Sequence, residues 1–592
     1  MKLFEHRFFV PAALFLLCAA VYGGGIGNGF HWEDEVHVEK NVHIRTLKNL
    51  PVFFKPGYIN VYESGLGQRY RPLRTVTLAL DYKLWGLDPR GYHLTNMLLH
   101  FAVCLALWLL LKAAGLEAAG AFFAAALFAV HPIHAESIAY IKNRSDLICA
   151  FFSFGSLFLF ASYLKTGNRQ AYGGAVASAA LAFLSKEMAL ALPLAAAGLY
   201  FTLRPSLKDR AEVLRAGAAL GPFFLLLGVY WLFKKFSMGG ASAEFPGSSW
   251  DQAWTVIRTL GSYLKLLFFP LKLSLDHNFP LYGPPDALSV LLLGASAVYF
   301  AWALKKGRRT EAFWTGLLFL LLAPVSNLVY IQGRSFAEQR AYLPSAAFCA
   351  LLGLWLSAAL RSGRPARLGA AAAAFLAVVL LAGRGVARNA DWKDDLTLWR
   401  KTAATDPSAR SFYNLSVTLY RRNDYSGAIG AAQKSIELDP RVPDGYNTLG
   451  SIYFKMGLLG QSEKAFEKGL SLSDNKEYVT LSNLASVYGA MGRHEEAVRL
   501  YLRAVGLAPW FDAGFYNMSL SLEKLGRPAE AERALAEALA LNPYNADAHM
   551  KLAQLFAARG DKDGAARLYG ELLQKAPGHR QAALELDKLS RP

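Results

Sequence analysis

Between residues 8 and 386 the sequence carries apolar run after apolar run, each of a length that can cross a bilayer: 8–24, 92–111, 118–131, 147–164, 170–184, 188–203, 212–233, 286–304, 311–330, 341–360 and 367–386. No other feature constrains the fold as tightly. A hydrocarbon layer about 30 Å thick is spanned by about 20 helical residues. It holds no water for unpaired backbone N–H and C=O groups, so runs of this kind fold as helices. About eleven spans are therefore expected, in an all-α, multi-pass bundle over residues 1–390. The first run has a basic start and no small-x-small cleavage site after it, and reads as an uncleaved anchor. The four cysteines, Cys18, Cys104, Cys149 and Cys349, sit inside apolar runs without ligand spacing. Neither a disulfide framework nor a zinc site is expected.

The net charge of +18 suggests nucleic acid until its distribution is read. Much of the excess lies in short gaps between runs: Lys112; Lys165 and Arg169; Arg204, Lys208, Arg210 and Arg215; Lys305, Lys306, Arg308 and Arg309; Arg361, Arg364 and Arg367. These gaps all fall on one side if the N-terminus is cytoplasmic, as the positive-inside rule requires. Nucleic acid is thereby set aside as a partner. With eleven spans, everything after residue 390 is extracytoplasmic. The gaps facing that same side carry a different chemistry: Glu33-Asp34-Glu35 and Arg71; His131, His134, Glu136, Lys142, Arg144 and Asp146; Ser185-Lys186-Glu187; Asp276-His277; Arg334, Glu338, Gln339 and Arg340. Acidic residues this close to a membrane surface are costly unless a task retains them.

From residue 391 the sequence repeats with a period near 34. Helix-ending signals recur at Asp406-Pro407, Asp439-Pro440, Ser473-Asp474, Ala508-Pro509, Asn542-Pro543 and Ala576-Pro577. Gly457, Gly492, Gly526 and Gly560 mark the turns between paired helices. About five tetratricopeptide repeats are expected over 391–592, stacked as an α-solenoid with a concave groove.

The first outer loop, 25–91, is too long for a connector. Its Leu50-Pro51-Val52-Phe53-Phe54 is expected along the membrane interface. Arg71 suits a phosphate, because a guanidinium offers forked donors and a permanent charge. A lone interfacial arginine is as often an anchor. Arg144, Lys186 and Arg340 face the same compartment and suit one anionic head group. His131-Pro132-Ile133-His134 has a metal-pair look, but the proline and the missing third ligand favour histidines that hydrogen-bond at a helix end. There is no phosphate-cradling glycine loop and no Ser-His-Asp order.

Several of these stretches resemble the transmembrane and tetratricopeptide-repeat O-mannosyltransferases, along nearly the whole chain and in the same order. They are Tyr70-Arg71-Pro72-Leu73, the run from His93 to His100, Ala129 to Glu136, Leu184-Ser185-Lys186-Glu187, Tyr263-Leu264-Lys265, Asp276-His277, Tyr342-Leu343-Pro344-Ser345 and Ala387-Arg388-Asn389 with Asp391-Trp392. The resemblance implies a GT-C glycosyltransferase with an acidic motif in the first outer loop. It implies a polyprenyl- or dolichyl-phosphate sugar as donor and an inverting transfer to a protein or peptide hydroxyl. Where that family typically has two aspartates after an aromatic, this chain has Glu33 and Asp34. The base is one of Glu33, Asp34 and Glu35, and Asp34 keeps the family's residue type. Arg71, Arg144, Lys186 and Arg340 are expected at the donor phosphate. His93, His131, His134, Glu187, Asp276 and His277 are expected around the substrate. A lipid monophosphate has less need of a divalent metal than a nucleotide diphosphate, so no metal or other cofactor is expected. The repeats would gather the acceptor, outside the cytoplasm, in a bacterial inner membrane or an endoplasmic reticulum. The competing readings are a non-enzymatic membrane scaffold for envelope proteins and a transporter of the same lipids. The scaffold does not explain why acids, histidines and cations collect on one face, and a transporter would favour acidic residues near mid-span, of which these runs carry few.

Overall fold

The computed structural model describes residues 8–55, 70–204, 209–238, 245–331, 333–473 and 477–590. Residues 56–69 of the first outer loop thus lie outside the described residues. The regular elements among them are helices throughout. The chain divides into two compact units, Met1–Asp406 and Pro407–Pro592. The boundary expected at 390/391 therefore moves sixteen residues on, because the helix Asp395–Thr405 belongs with the membrane unit.

All eleven apolar runs are helical, but fewer than eleven are spans by length. Among the described residues seven helices are long and apolar enough to cross a membrane, and an eighth is obtained if Ala118–Val130 and Pro132–Ala139, bent by 49°, count as one. The helices Arg169–Phe183, Leu192–Leu203 and Arg309–Leu322 have 15, 12 and 14 residues. At 1.5 Å per residue these reach roughly 18–23 Å, short of the hydrocarbon thickness. Sequence windows join helix to turn at these places. Pro193 opens an α-helix after the 3₁₀ turn Glu187–Ala191, and Asn327 at φ 67° ends the 311–330 run.

The spans differ in what surrounds them. In the most apolar 18 residues of each, Ile141–Thr166 and Glu338–Leu360 are 61% buried within the protein and Arg364–Ala390 only 6%, its buried residues Gly385, Arg388 and Asn389 lying at its end. At the centre, Ala118–Val130 and Tyr342–Leu360 cross so closely that a Cβ on Gly120 or Gly353 would overlap the other's carbonyl. Without water between them, helices in lipid associate through such small-residue contacts.

The first outer loop is more folded than expected. It contains the 3₁₀ turns Val42–Arg45 and Leu47–Phe54 and the helix Pro72–Trp85. Within the stretch expected along the membrane interface, Phe53 points inward while Phe54 is 40% exposed. Phe53 is buried with Val38, Ile44, Leu78, Tyr92 and Ile141 in a small core that binds the loop to the bundle. A further helix, Ser249–Phe268, begins with a capping box made by Ser248 and Asp251.

The second unit stacks five helix pairs, from Ala409–Arg421 with Tyr425–Leu438 to Ala546–Ala558 with Lys562–Lys575, closed by Arg580–Ser590. The turns inside the pairs use a left-handed residue: Gly457, Gly492, Gly526 and Gly560, with Asn423 in the first. One buried cluster runs from Phe466 to Ala582 through successive pairs, as a stack that buries each apolar face on its neighbour requires. Arg493 reaches back to Glu463, Arg527 to Glu495 and Arg559 to Glu532.

Candidate active site

The outer gaps of the sequence converge at one end of the bundle, and their side chains touch. The acidic stretch leaves the first span through the 3₁₀ turn Gly23–Gly27 and divides its three carboxylates. Asp34 is fully buried. Its Oδ1 accepts the Lys142 N–H at 2.7 Å, and its Oδ2 those of His31 and Ile141 at 3.2 and 3.4 Å. Burial pushes its carboxyl up to about 7, against the His31 side chain and the three backbone donors, which pull it down. Glu35 heads a π-helical turn, Glu35–Glu39, and pairs with Lys40 at 2.7 Å. Glu33 is partly exposed, at 16% of its side chain, and forms an ion pair with a residue of another loop, Lys142. Its backbone N–H is held by the Tyr140 hydroxyl at 3.2 Å.

The residue before Glu33 is Trp32, at φ 46°. A bulky side chain in the left-handed region costs on the order of 1–3 kcal/mol and persists only where surroundings over-determine it. Here the Trp32 ring stacks on Tyr140 (5.9 Å, 14°) and meets Trp399 edge-on (5.3 Å, 90°).

Two neighbouring ion pairs bring the expected donor cations together. Arg71 pairs with Glu187 at 2.6 Å and donates to Ser145 Oγ at 3.3 Å. Lys186 pairs with Asp146 at 2.5 Å. Lys142 lies close enough to Lys186 and Arg334 to feel both charges. Mutual repulsion among cations gathered this way favours an anion between them.

Two of the four expected phosphate ligands have other tasks. Arg144 is wholly buried, and its guanidinium is used up by Asn96 Oδ1 (2.6 Å), the carbonyls of Thr77 and Tyr92 (3.3 and 3.0 Å) and Asp81 (2.6 Å). It ties the outer helix Pro72–Trp85 to the spans. Arg340 donates to the carbonyls of Ser335 and Arg334 at 2.9 and 2.6 Å and so folds its own loop. The polar residues expected around the substrate divide in the same way. His131 donates to the Leu267 carbonyl (3.1 Å) and His134 pairs with Ser345 Oγ (2.8 Å), so both hold turns together. His93 donates to the Gly29 carbonyl at 3.0 Å, beside the acidic stretch. Asp276 is 6% exposed. His277 bridges Glu338 (3.0 Å) and Asp406 (3.3 Å). Burial acts to lower its pKa, but hydrogen bonds to those two carboxylates outweigh this and raise it to about 9.

A buried network that sequence reading did not assemble completes the site floor. Arg334 clasps both oxygens of Glu136 (2.9 and 3.2 Å), and Arg388 joins Glu338 (3.1 Å) to Asp391 (3.0 Å). Arg334 and Lys142 are visible in the sequence as outer charges but have no spacing to mark them. His31 and Asp395, 364 positions apart, meet at 3.2 Å and have no sequence signal at all. Among the described residues, one trio, Cys18, His100 and Cys104, has the spacing to hold a metal. It lies within the spans, and both His100 nitrogens are engaged, by the Tyr342 hydroxyl and the Ala129 carbonyl.

This is a multi-pass membrane protein whose ionic loops gather at one bundle end and whose chain continues into a tetratricopeptide solenoid. The comparisons with known proteins agree with that class. Residues 72–231 match the family model described as dolichyl-phosphate-mannose-protein mannosyltransferase, and residues 442–509 and 516–580 match tetratricopeptide repeat models. The chain is similar to Protein O-mannosyl-transferase F38B6.6 of Caenorhabditis elegans, 26% identical over 70% of this chain and 60% of that protein. It is also similar to Protein O-mannosyl-transferase TMTC3 of Mus musculus, 24% identical over 94% of this chain and 66% of that one. The chain thus spans about two thirds or less of these relatives' length. A thermophilic TPR protein of Thermus thermophilus is similar at 21% identity, over 31% of this chain and 98% of that one, with a TM-score of 0.28. The chain resembles the tetratricopeptide-repeat O-mannosyltransferases in both its parts.

Proposed function

We propose that this chain is an inverting glycosyltransferase that moves a hexose, with mannose first in line, from a polyprenyl-phosphate to a hydroxyl of a protein or peptide. The observation that carries this reading is Glu33: a partly exposed carboxylate paired with Lys142, which in turn feels the charge of Lys186. The named mannosyltransferase relatives and the family match at 72–231 support the choice of reaction.

In this mechanism Glu33, rather than Asp34, is the base. Asp34 receives three backbone N–H groups and has no exposed surface, which suits a scaffold for the 140–142 turn. Glu33 takes the acceptor proton as the hydroxyl oxygen attacks the anomeric carbon. The bond from that carbon to the phosphate oxygen breaks, and the lipid phosphate leaves with both electrons. A positioned base contributes roughly 10²–10⁴-fold to such a step. Arg71 and Lys186 meet the charge that grows on the phosphate, exchanging Glu187 and Asp146 for it in part. Transfer proceeds without a divalent metal, on the outer face of the membrane, and the repeats collect the acceptor there.

The test is incubation of the purified chain with polyprenyl-phosphate mannose, glucose or aminoarabinose and a hydroxyl-bearing peptide mixture, in buffer with and without a chelator. Mass spectrometry should find a hexose adduct with the first donor, at the same rate in both buffers. If none of the three donors yields an adduct or free sugar, the enzymatic reading fails and a scaffold takes its place.

A further inference from the structure

The acidic stretch does not hold its shape alone. The segment that follows the last span, Trp392 to Trp399, grips it from one side. Asn28 donates to the Trp392 carbonyl at 2.7 Å. Asp395, first residue of the helix Asp395–Thr405, receives His31 Nδ1 on one carboxylate oxygen (3.2 Å) and the Trp32 N–H on the other (3.4 Å). Trp399 closes on the Trp32 ring. Trp32 is the one left-handed residue of this stretch, and the direction in which Glu33 leaves the loop depends on that bend. The two residues that Asp395 holds are the two that immediately precede Glu33. The Asp395 carboxylate lies at a helix N-terminus, where negative charge is favoured.

We propose that Asp395 is a positioning residue of the transferase: by holding His31 and Trp32 it keeps the loop in the left-handed bend that aims Glu33 at Lys142. The proposal rests on the reading of Glu33 as base. It makes the root of the post-span segment a working part of the site. The carboxylates that pair with Arg71 and Lys186, the cations that would meet the donor phosphate, are Glu187 and Asp146 rather than Asp395, so loss of Asp395 separates rate from donor affinity.

The test pairs hydrogen exchange with kinetics on the full chain bearing Asp395→Ala, Asp395→Asn, His31→Ala, or His31→Ala with Asp395→Ala. In Asp395→Ala the amides of residues 28–36 should exchange faster while those of the solenoid keep the parent rates. The kcat should fall roughly 10–100-fold, as expected for a displaced catalytic group, with donor KM within about twofold. Asp395→Asn keeps an oxygen for the Trp32 N–H and should recover part of the loss. The double variant should lose no more than the worse single, because the two side chains act as one clamp. Unchanged exchange at 28–36 overturns the clamp, as does exchange that rises equally over the whole membrane unit. Faster local exchange with the parent kcat overturns the positioning role. If the parent chain transfers no sugar, the proposed function fails separately, and the exchange comparison still decides whether Asp395 holds the loop.

Discussion

At the scale of single residues, the three adjacent carboxylates divide by environment rather than by type. Sequence favours Asp34 because it keeps the residue type of the resembled family. Nothing in a string of letters reveals that its oxygens face the backbone of residues 141 and 142, 107 and 108 positions away. We therefore expect Glu33→Gln to lower transfer by roughly 10²–10⁴-fold in a protein that still folds and retains donor. Asp34→Asn should keep measurable transfer and show its effect as a loosened 140–142 turn. Parent-like transfer by Glu33→Gln, measured by mass spectrometry of the acceptor, would move the base to Asp34 or Glu35. His277 gives a pH expectation. Its pKa rises from 6.5 to about 9 in the folded chain through Asp406 and Glu338. The charged imidazole thus contributes stability that is complete below about pH 6.5 and is lost as pH rises through about 9. The shift corresponds to roughly 3 kcal/mol. Thermal unfolding of the detergent-solubilised chain should show a fall over that window, and His277→Gln should lack this part of it. An identical pH profile in the variant would mean that the bridge contributes nothing.

At the scale of elements, periodicity and length make the helices legible, and packing decides what they become. All eleven apolar runs are helices, yet Leu192–Leu203 and Arg309–Leu322 are too short to be counted as spans on their own. Hydropathy windows do not see the 3₁₀ turns and the left-handed Asn327 that break them. The helix Pro72–Trp85 is hidden inside a loop because its burial depends on Arg144, far along the chain. The crossing of Ala118–Val130 with Tyr342–Leu360 leads to another expectation. A methyl at Gly353 meets the Gly120 backbone and not the end of a flexible side chain, so the helices must separate. Gly353→Ala should destabilise the bundle by about 1–3 kcal/mol, the usual range for overpacking. Gly369→Ala, with no atom within 4 Å of the new carbon, should be neutral or slightly favourable. Chemical denaturation in detergent would rank the two, and equal midpoints would rule out the close crossing as a constraint.

At the scale of the whole molecule, the charge pattern and the folded bundle make one argument about sidedness. Basic gaps such as 305–309 and 361–367 belong to one set of helix ends. The ionic loops of Glu33, Lys142, Lys186, Arg334 and Arg388 belong to the other, where their side chains touch. The last span, Arg364–Ala390, starts in the basic set and ends in the ionic set, so the chain that follows emerges on the ionic side. This conclusion does not depend on how many of the short helices cross the membrane, because it rests on which ends meet. On the orientation proposed above, positive-inside, the basic ends face the cytoplasm and the candidate site lies outside it. A reporter active only outside the cytoplasm, fused after Asp406, should be active. The same reporter fused after Arg308 should be silent, and one active only in the cytoplasm should show the reverse. Asp406 is the better junction than Ala390, because the compact membrane unit ends there and Asp395, Trp399 and Asp406 all contribute to it. A fusion at 390 would remove the residues that hold the acidic loop and confuse misfolding with topology. Reporter activity after Arg308 together with silence after Asp406 would invert the protein, and a sugar donor presented on the outer face would then have no access to Glu33.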